Sequence, residues 1–223
     1  MPQLALDVWS DIACPWCYIG KRRLERALLQ FEHRDQVTVR WRSFELDAAA
    51  PRERDPKVAY VARLAAKYGV EELEAQAMLD GVVEAAKREG IAMRFESAKS
   101  GNTLDAHRLV HFASESGLAD AMKERLFRAY FCDGVRIGDP AALLALAVEV
   151  GLDAETAKAV LDGDRFVAEV RADEELAMRL RIRSVPCFVF DNRRGVAGAQ
   201  EPDALLALLR ESYGELGGAK AQS

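Results

Sequence analysis

Long apolar runs are missing from this 223-residue chain. No segment approaches the roughly 18–20 consecutive apolar residues of a membrane span. A basic excess is missing too. The 31 Lys+Arg stand against 36 Asp+Glu, a formal net charge of −5, which argues against the positive face that a nucleic-acid footprint needs. Cysteine is sparse at four residues, too few for a disulfide scaffold, and the chain is long enough to bury a core without one. No basic and apolar leader is legible in Met1-Pro2-Gln3-Leu4-Ala5-Leu6-Asp7. The expected location is therefore cytoplasmic, where a dithiol is more often catalytic or metal-binding than a permanent staple. Internal repeats and low-complexity tracts are also absent. What is present is ordinary for a folded protein: half of the residues are hydrophobic, and the length suits one large domain or two small ones.

The order of patterns predicts an α/β chain interrupted by helices. Leu4, Leu6 and Val8 alternate with Ala5, Asp7 and Trp9, the period of a strand. After a break at Ser10-Asp11, Leu24, Ala27, Leu28 and Phe31 share one face of a helix. Val37, Val39 and Trp41 alternate with polar neighbours and predict a second, parallel strand closing a βαβ unit. Beyond the proline-punctuated stretch 48–56, strand signals vanish for over a hundred residues in favour of helical spacing. Gly69, Gly90, Gly117, Gly134 and Gly151 stand at predicted helix ends, and Asp139-Pro140 reads as an N-cap followed by proline at the first helical position. Phe166, Val170, Ala177 and Leu180 predict one more helix. Strand chemistry returns in Cys187-Phe188-Val189-Phe190, a turn over 191–195 leads to Val196-Ala197 as a hairpin, and a last helix starts at Glu201-Pro202. The expected division is one domain of residues 1–50 and 163–214, an inserted all-helical domain of residues 51–162, and a flexible tail over 215–223.

Cys14-Pro15-Trp16-Cys17 lies between a predicted strand and a predicted helix. At a helix N-terminus the unpaired N–H groups and the macrodipole favour negative charge, hence thiolate at Cys14. Pro15 suits the first helical position, where its missing N–H has no intrahelical partner in any case. Cys17 is one turn further in, within reach of a mixed disulfide on Cys14. The pattern suits thiol–disulfide exchange. Zinc is the lesser reading, because a site of four cysteine ligands usually needs two such knuckles and there is one.

The chain resembles the DsbA-like thioredoxin oxidoreductases, and within them a FrnE-type cytosolic branch. The resemblance rests on Ser10-Asp11-Ile12-Ala13-Cys14-Pro15-Trp16-Cys17-Tyr18-Ile19-Gly20-Lys21 and on Asn102-Thr103-Leu104-Asp105-Ala106-His107-Arg108. It rests further on Val185-Pro186 with Phe188-Val189-Phe190-Asp191, and on Gly198-Ala199-Gln200. It implies a thioredoxin-like fold, a four-stranded mixed sheet built from βαβ then ββα, carrying the helical insertion. It also implies that Pro186 is cis and faces the C-x-x-C, with the Val185 backbone pairing with an extended substrate.

Several other residues carry a plain and a functional reading side by side. Asn102-Thr103 is a plausible helix cap. The resemblance adds that Asn102 and His107 open a helix overhanging the active site, there to touch the substrate or tune Cys14. His107 and His111 are four apart, but Arg108 stands where H-E-x-x-H has glutamate, so a packed histidine is the larger reading and no metal is expected. Cys132 and Cys187 are read as small buried hydrophobes, with an auxiliary redox pair as the sharper alternative. Arg179, Arg181 and Arg183 crowd the approach to Pro186 and can attract an anionic partner. Ser10 and Asp11 are candidate substrate or thiolate neighbours, and Asp7 and Asp11 are each a candidate proton acceptor near Cys17 or a capping group.

The leading expectation is a disulfide oxidoreductase or isomerase for protein or peptide substrates, with Cys14 as nucleophile and Cys17 as resolving thiol. It binds no cofactor and has glutathione as a candidate co-substrate. No nucleic-acid or membrane partner is expected, and the assembly is a monomer or weak homodimer. The alternative is a glutathione-dependent small-molecule enzyme of the kappa-class or hydroxychromene-carboxylate-isomerase kind. Such relatives commonly carry serine at the first active position, where this chain has Cys14.

Overall fold

The computed structural model describes residues 3–55 and 57–220, the last four by backbone alone. The chain divides into two compact units, Met1–Phe44 with Asp173–Ser223, and Glu45–Ala172. The seams fall at 44/45 and 172/173, against 50/51 and 162/163 in the sequence reading.

The first unit holds a four-stranded sheet. Its strands are β1 (Leu4–Ser10), β2 (Val37–Ser43), β3 (Cys187–Phe190) and β4 (Arg194–Ala197), in the order β2-β1-β3-β4. β1 and β2 run parallel from Leu4↔Val37 to Ser10↔Ser43, joined by helix α1 (Pro15–Gln30) and a 3-10 turn at Arg34–Gln36. β3 is antiparallel to both β1 and β4. This is the thioredoxin arrangement.

Alternation along the pleat sorts the side chains. Val8 pairs with Phe188 and Leu6 with Phe190, and all four are buried on the face toward α1. Helix α9 (Pro202–Lys220) packs on α1, β1 and β3, and contributes buried Leu205 and Leu209. α9 runs to Lys220, across the Gly214 after which a flexible tail is expected. The rest of that expectation, residues 221–223, lies outside the described residues.

Asp7 and Trp9 point to the opposite face. Asp7 accepts from Arg40 at 2.6 Å and Arg42 at 2.7 Å, while Arg42 also reaches Asp173 at 2.9 Å. Asp173 accepts the Ser43 N–H, and its carbonyl accepts the Trp9 indole N–H.

The second unit contains α2 (Tyr60–Tyr68), α3 (Glu72–Arg88), α4 (Leu104–Ser114), α5 (Ala119–Phe131), α6 (Pro140–Val150) and α7 (Ala154–Asp162). Asp139 caps α6 by accepting from the Ala141 N–H at 3.0 Å, with Pro140 first in the helix. Gly151 ends α6 at φ 98°, a left-handed position that a side chain would resist. Helix α8 (Val167–Arg179) is continuous across the 172/173 seam. Phe166, expected inside it, stands just before it at φ 69°. Among the described residues no helix is long and apolar enough to cross a membrane.

Candidate active site

β1 ends at Ser10, and a tight turn delivers the chain into α1. The Asp11 carboxylate accepts the Ala13 N–H at 3.3 Å, and the Asp11 carbonyl accepts the Cys14 N–H at 3.2 Å. Asp11 is thus a turn-capping group in the loop that carries the dithiol. Ser10 is fully buried beside it. Cys14 is the N-cap of α1, extended at φ −94° and ψ 112°, with Pro15 in the first turn. Its carbonyl accepts the Cys17 N–H at 3.0 Å. The Cys14 side chain makes no capping bond, so its sulfur is not consumed in satisfying the helix end. Cys14 and Cys17 are both buried free thiols, whereas Trp16 between them is 41% exposed.

The Cys14 thiol donates to the Val185 carbonyl at 3.5 Å. The Val185–Pro186 peptide bond is cis. Pro186 in turn lies against α1 at Gly20, where a Cβ would stand 2.9 Å from the proline Cγ. Gly20 therefore has a role that the sequence reading did not assign. The available signal was a glycine on the buried face of an amphipathic helix.

The Gly198-Ala199-Gln200 block completes the frame. Gly198, at φ 88°, donates its N–H to the Pro186 carbonyl at 2.7 Å. Gln200 closes the turn onto the Ala197 carbonyl at 2.7 Å. Arg23 of α1, itself buried, donates to the Ala199 carbonyl at 2.7 Å and pairs with Glu201 at 2.8 Å. One helix thus supports Cys14, Cys17, the face of Pro186 and the loop behind it.

Cys187 follows Pro186 but projects to the other face of the sheet, paired with Trp9 and Ala197. Burial pushes its thiol up from the ordinary 9.0 to about 11, so it stays protonated and inert near neutral pH. Cys132 belongs to the helical unit, at the C-cap of α5. Burial, then the neighbouring Asp133 charge, pushes its thiol up as well. Asp7, held by two arginines on the face away from α1, is a structural carboxylate.

Asn102 and His107 also lie in the helical unit. The Asn102 side chain accepts the Leu104 N–H at 2.9 Å and donates to the Ala48 carbonyl at 3.3 Å, which makes it a cap for α4. His107 is buried within α4. Arg108 donates to the carbonyls of Val160, Gly163 and Arg165 and to Asp105, sealing the end of α7. His111 stacks on Phe166 at 6.4 Å. Among the described residues no group of three or more His, Cys, Asp or Glu side chains is placed to hold a metal ion.

Comparison with known proteins places the fold and the family. The chain is similar to the uncharacterized protein YwbO of Bacillus subtilis (strain 168), 30% identical over 187 residues that cover 82% of this chain and 85% of that one. It is similar to the crystal structure of a probable DsbA oxidoreductase from Streptomyces coelicolor, with a TM-score of 0.89, 42% identity, and coverage of 96% of this chain and 91% of that one. Its fold also matches the cytosolic disulfide reductase DsbM from Pseudomonas aeruginosa, solved with GSH, at a TM-score of 0.64 and 21% identity over 94% of this chain and 98% of that one. The DSBA-like thioredoxin domain model matches residues 5–210, and the chain belongs to that family.

Proposed function

We propose that this protein is a thiol–disulfide oxidoreductase acting on protein or peptide disulfides, with Cys14 as nucleophile and Cys17 as resolving thiol. The observation that carries this reading is the setting of Cys14: a helix N-cap whose sulfur is unused in capping and stands 3.5 Å from the Val185 carbonyl, next to Pro186. A helix N-terminus stabilises negative charge. The Val185 backbone offers an edge along which an extended substrate can pair. Exposed Trp16 supplies apolar surface beside the thiol.

In the reductive direction the Cys14 thiolate attacks one sulfur of the substrate disulfide. A Cys14–substrate disulfide forms and the other substrate sulfur leaves as thiolate. The Cys17 thiolate then attacks the Cys14 sulfur, forming Cys14–Cys17 and releasing the second substrate thiolate. The substrate gains two electrons and two protons, and the dithiol loses them. Two equivalents of a monothiol return the enzyme to the reduced form: the first makes a mixed disulfide with one active cysteine, and the second attacks it and leaves as the monothiol's own disulfide; glutathione is the proposed monothiol. The fold relative DsbM was solved with GSH. The proposed compartment is the cytoplasm, where such a thiol pool exists.

The test is reduction of insulin disulfides by the reduced protein, with glutathione as recycling thiol. Wild type turns over and Cys14→Ser does not. Equal turnover in Cys14→Ser overturns the mechanism.

A further inference from the structure

The unused face of the β3–β4 hairpin forms one wall of a cavity of about 420 Å³. Three small residues on that face, Cys187, Gly195 and Ala197, leave the space open. Three arginines, Arg181, Arg183 and Arg193, are among the residues that line it, and no carboxylate residue does. Arg193 has Asp191 at 3.6 Å, whereas neither Arg181 nor Arg183 has an ion-pair partner among the described residues.

The backbone fixes where two of these residues leave the chain. The Arg181 N–H reaches the Met178 carbonyl at 3.0 Å and the Ile182 N–H reaches the Ala177 carbonyl at 2.9 Å. This is the helix ending whose left-handed position is usually glycine. Here Arg181 takes it at φ 58°, so a long cation stands where the backbone favours no side chain at all. Across the cavity, Asp191 and Asn192 both take positive φ in the hairpin turn that presents Arg193. Guanidinium forks recognise carboxylate and phosphate oxygens in pairs. The volume suits a small molecule.

We propose that this pocket is a binding site for a compact polyanion carrying two or more carboxylate or phosphate groups, on the sheet face opposite α1. The site is independent of the dithiol chemistry, so binding and not turnover tests it. Citrate and pyrophosphate are titrated calorimetrically into the full-length reduced protein at low ionic strength. Saturable binding of either one, tighter than about 1 mM, is the expected result, and the tighter of the two identifies the source as carboxylate or phosphate. Arg181→Ala and Arg183→Ala each weaken it about tenfold. Ala197→Leu, at an exposed position, fills the space while keeping every charge and abolishes binding. Gly195→Val, whose Cβ meets Val189 at an ordinary 3.7 Å, does the same if Ala197→Leu misfolds. Absence of binding by both anions overturns the proposal. So does binding that survives either filling substitution, which would make the arginines mere surface charge.

Discussion

Gly20 and Pro186, far apart in sequence, touch so closely that a Cβ at residue 20 would stand 2.9 Å from the proline Cγ and 3.4 Å from the Phe188 ring. Alanine is the better helix former by about 1 kcal/mol, yet here the ring has no flexible end to move aside. Gly20→Ala is expected to destabilise the protein by about 1–3 kcal/mol in denaturant unfolding. It is also expected to lower disulfide turnover, because α1 carries Cys14. A more stable variant with full turnover would show that the contact relaxes freely.

Arg23 ties α1 to the loop behind Pro186 through the Ala199 carbonyl and Glu201. Arg23→Ala removes a charge-assisted bond from a part-buried carbonyl and is expected to cost about 1–2 kcal/mol. Arg23→Lys recovers only part of it, since lysine lacks the planar fork. Thermal unfolding of the three proteins orders them.

Asp7 is buried between Arg40 and Arg42. Asp7→Ala strips Arg40, which is partly exposed, of its partner and leaves Arg42 to Asp173, at an expected cost of about 1–2 kcal/mol. Chemical denaturation measures this. Loss below about 0.5 kcal/mol would mean that the pair is as weak as a surface bridge.

Cys187 sets an alkaline limit. Its folded-state value of about 11 lies above the ordinary 9.0. Between those values the unfolded chain has lost the proton that the folded chain retains. Stability is therefore full below pH 9 and declines as pH rises toward 11. Cys187→Ala is expected to flatten that part of the stability–pH curve. An unchanged slope would assign it to other groups.

Cys17→Ser leaves the attacking thiol without its resolving partner. Incubation with a disulfide peptide is expected to accumulate the Cys14 mixed disulfide, visible as a mass increase equal to the attached peptide half. The Cys14→Ser protein accumulates none.

Local chemistry determined much of this protein. Period-2 and period-3.6 patterns mark the strands and several of the helices, Asp139-Pro140 marks the start of α6, and Cys14-Pro15-Trp16-Cys17 stands at a strand-to-helix junction. These signals are legible because each depends on residues within a turn or two of one another. Only the tertiary structure decided what distant segments do together. An X-Pro bond is cis in about 5–6% of cases in folded proteins, so local chemistry around Pro186 does not specify its isomer or its neighbour, and only the family resemblance implied them. That Gly20 makes room for it, and that Arg23 reaches a carbonyl 176 positions away, follows from sheet order and helix packing. The same holds for Cys187: it adjoins Pro186 in sequence, yet the strand's alternation turns its thiol to the opposite face. There burial keeps it neutral, and its small size helps open a cavity that Arg181, Arg183 and Arg193 also line.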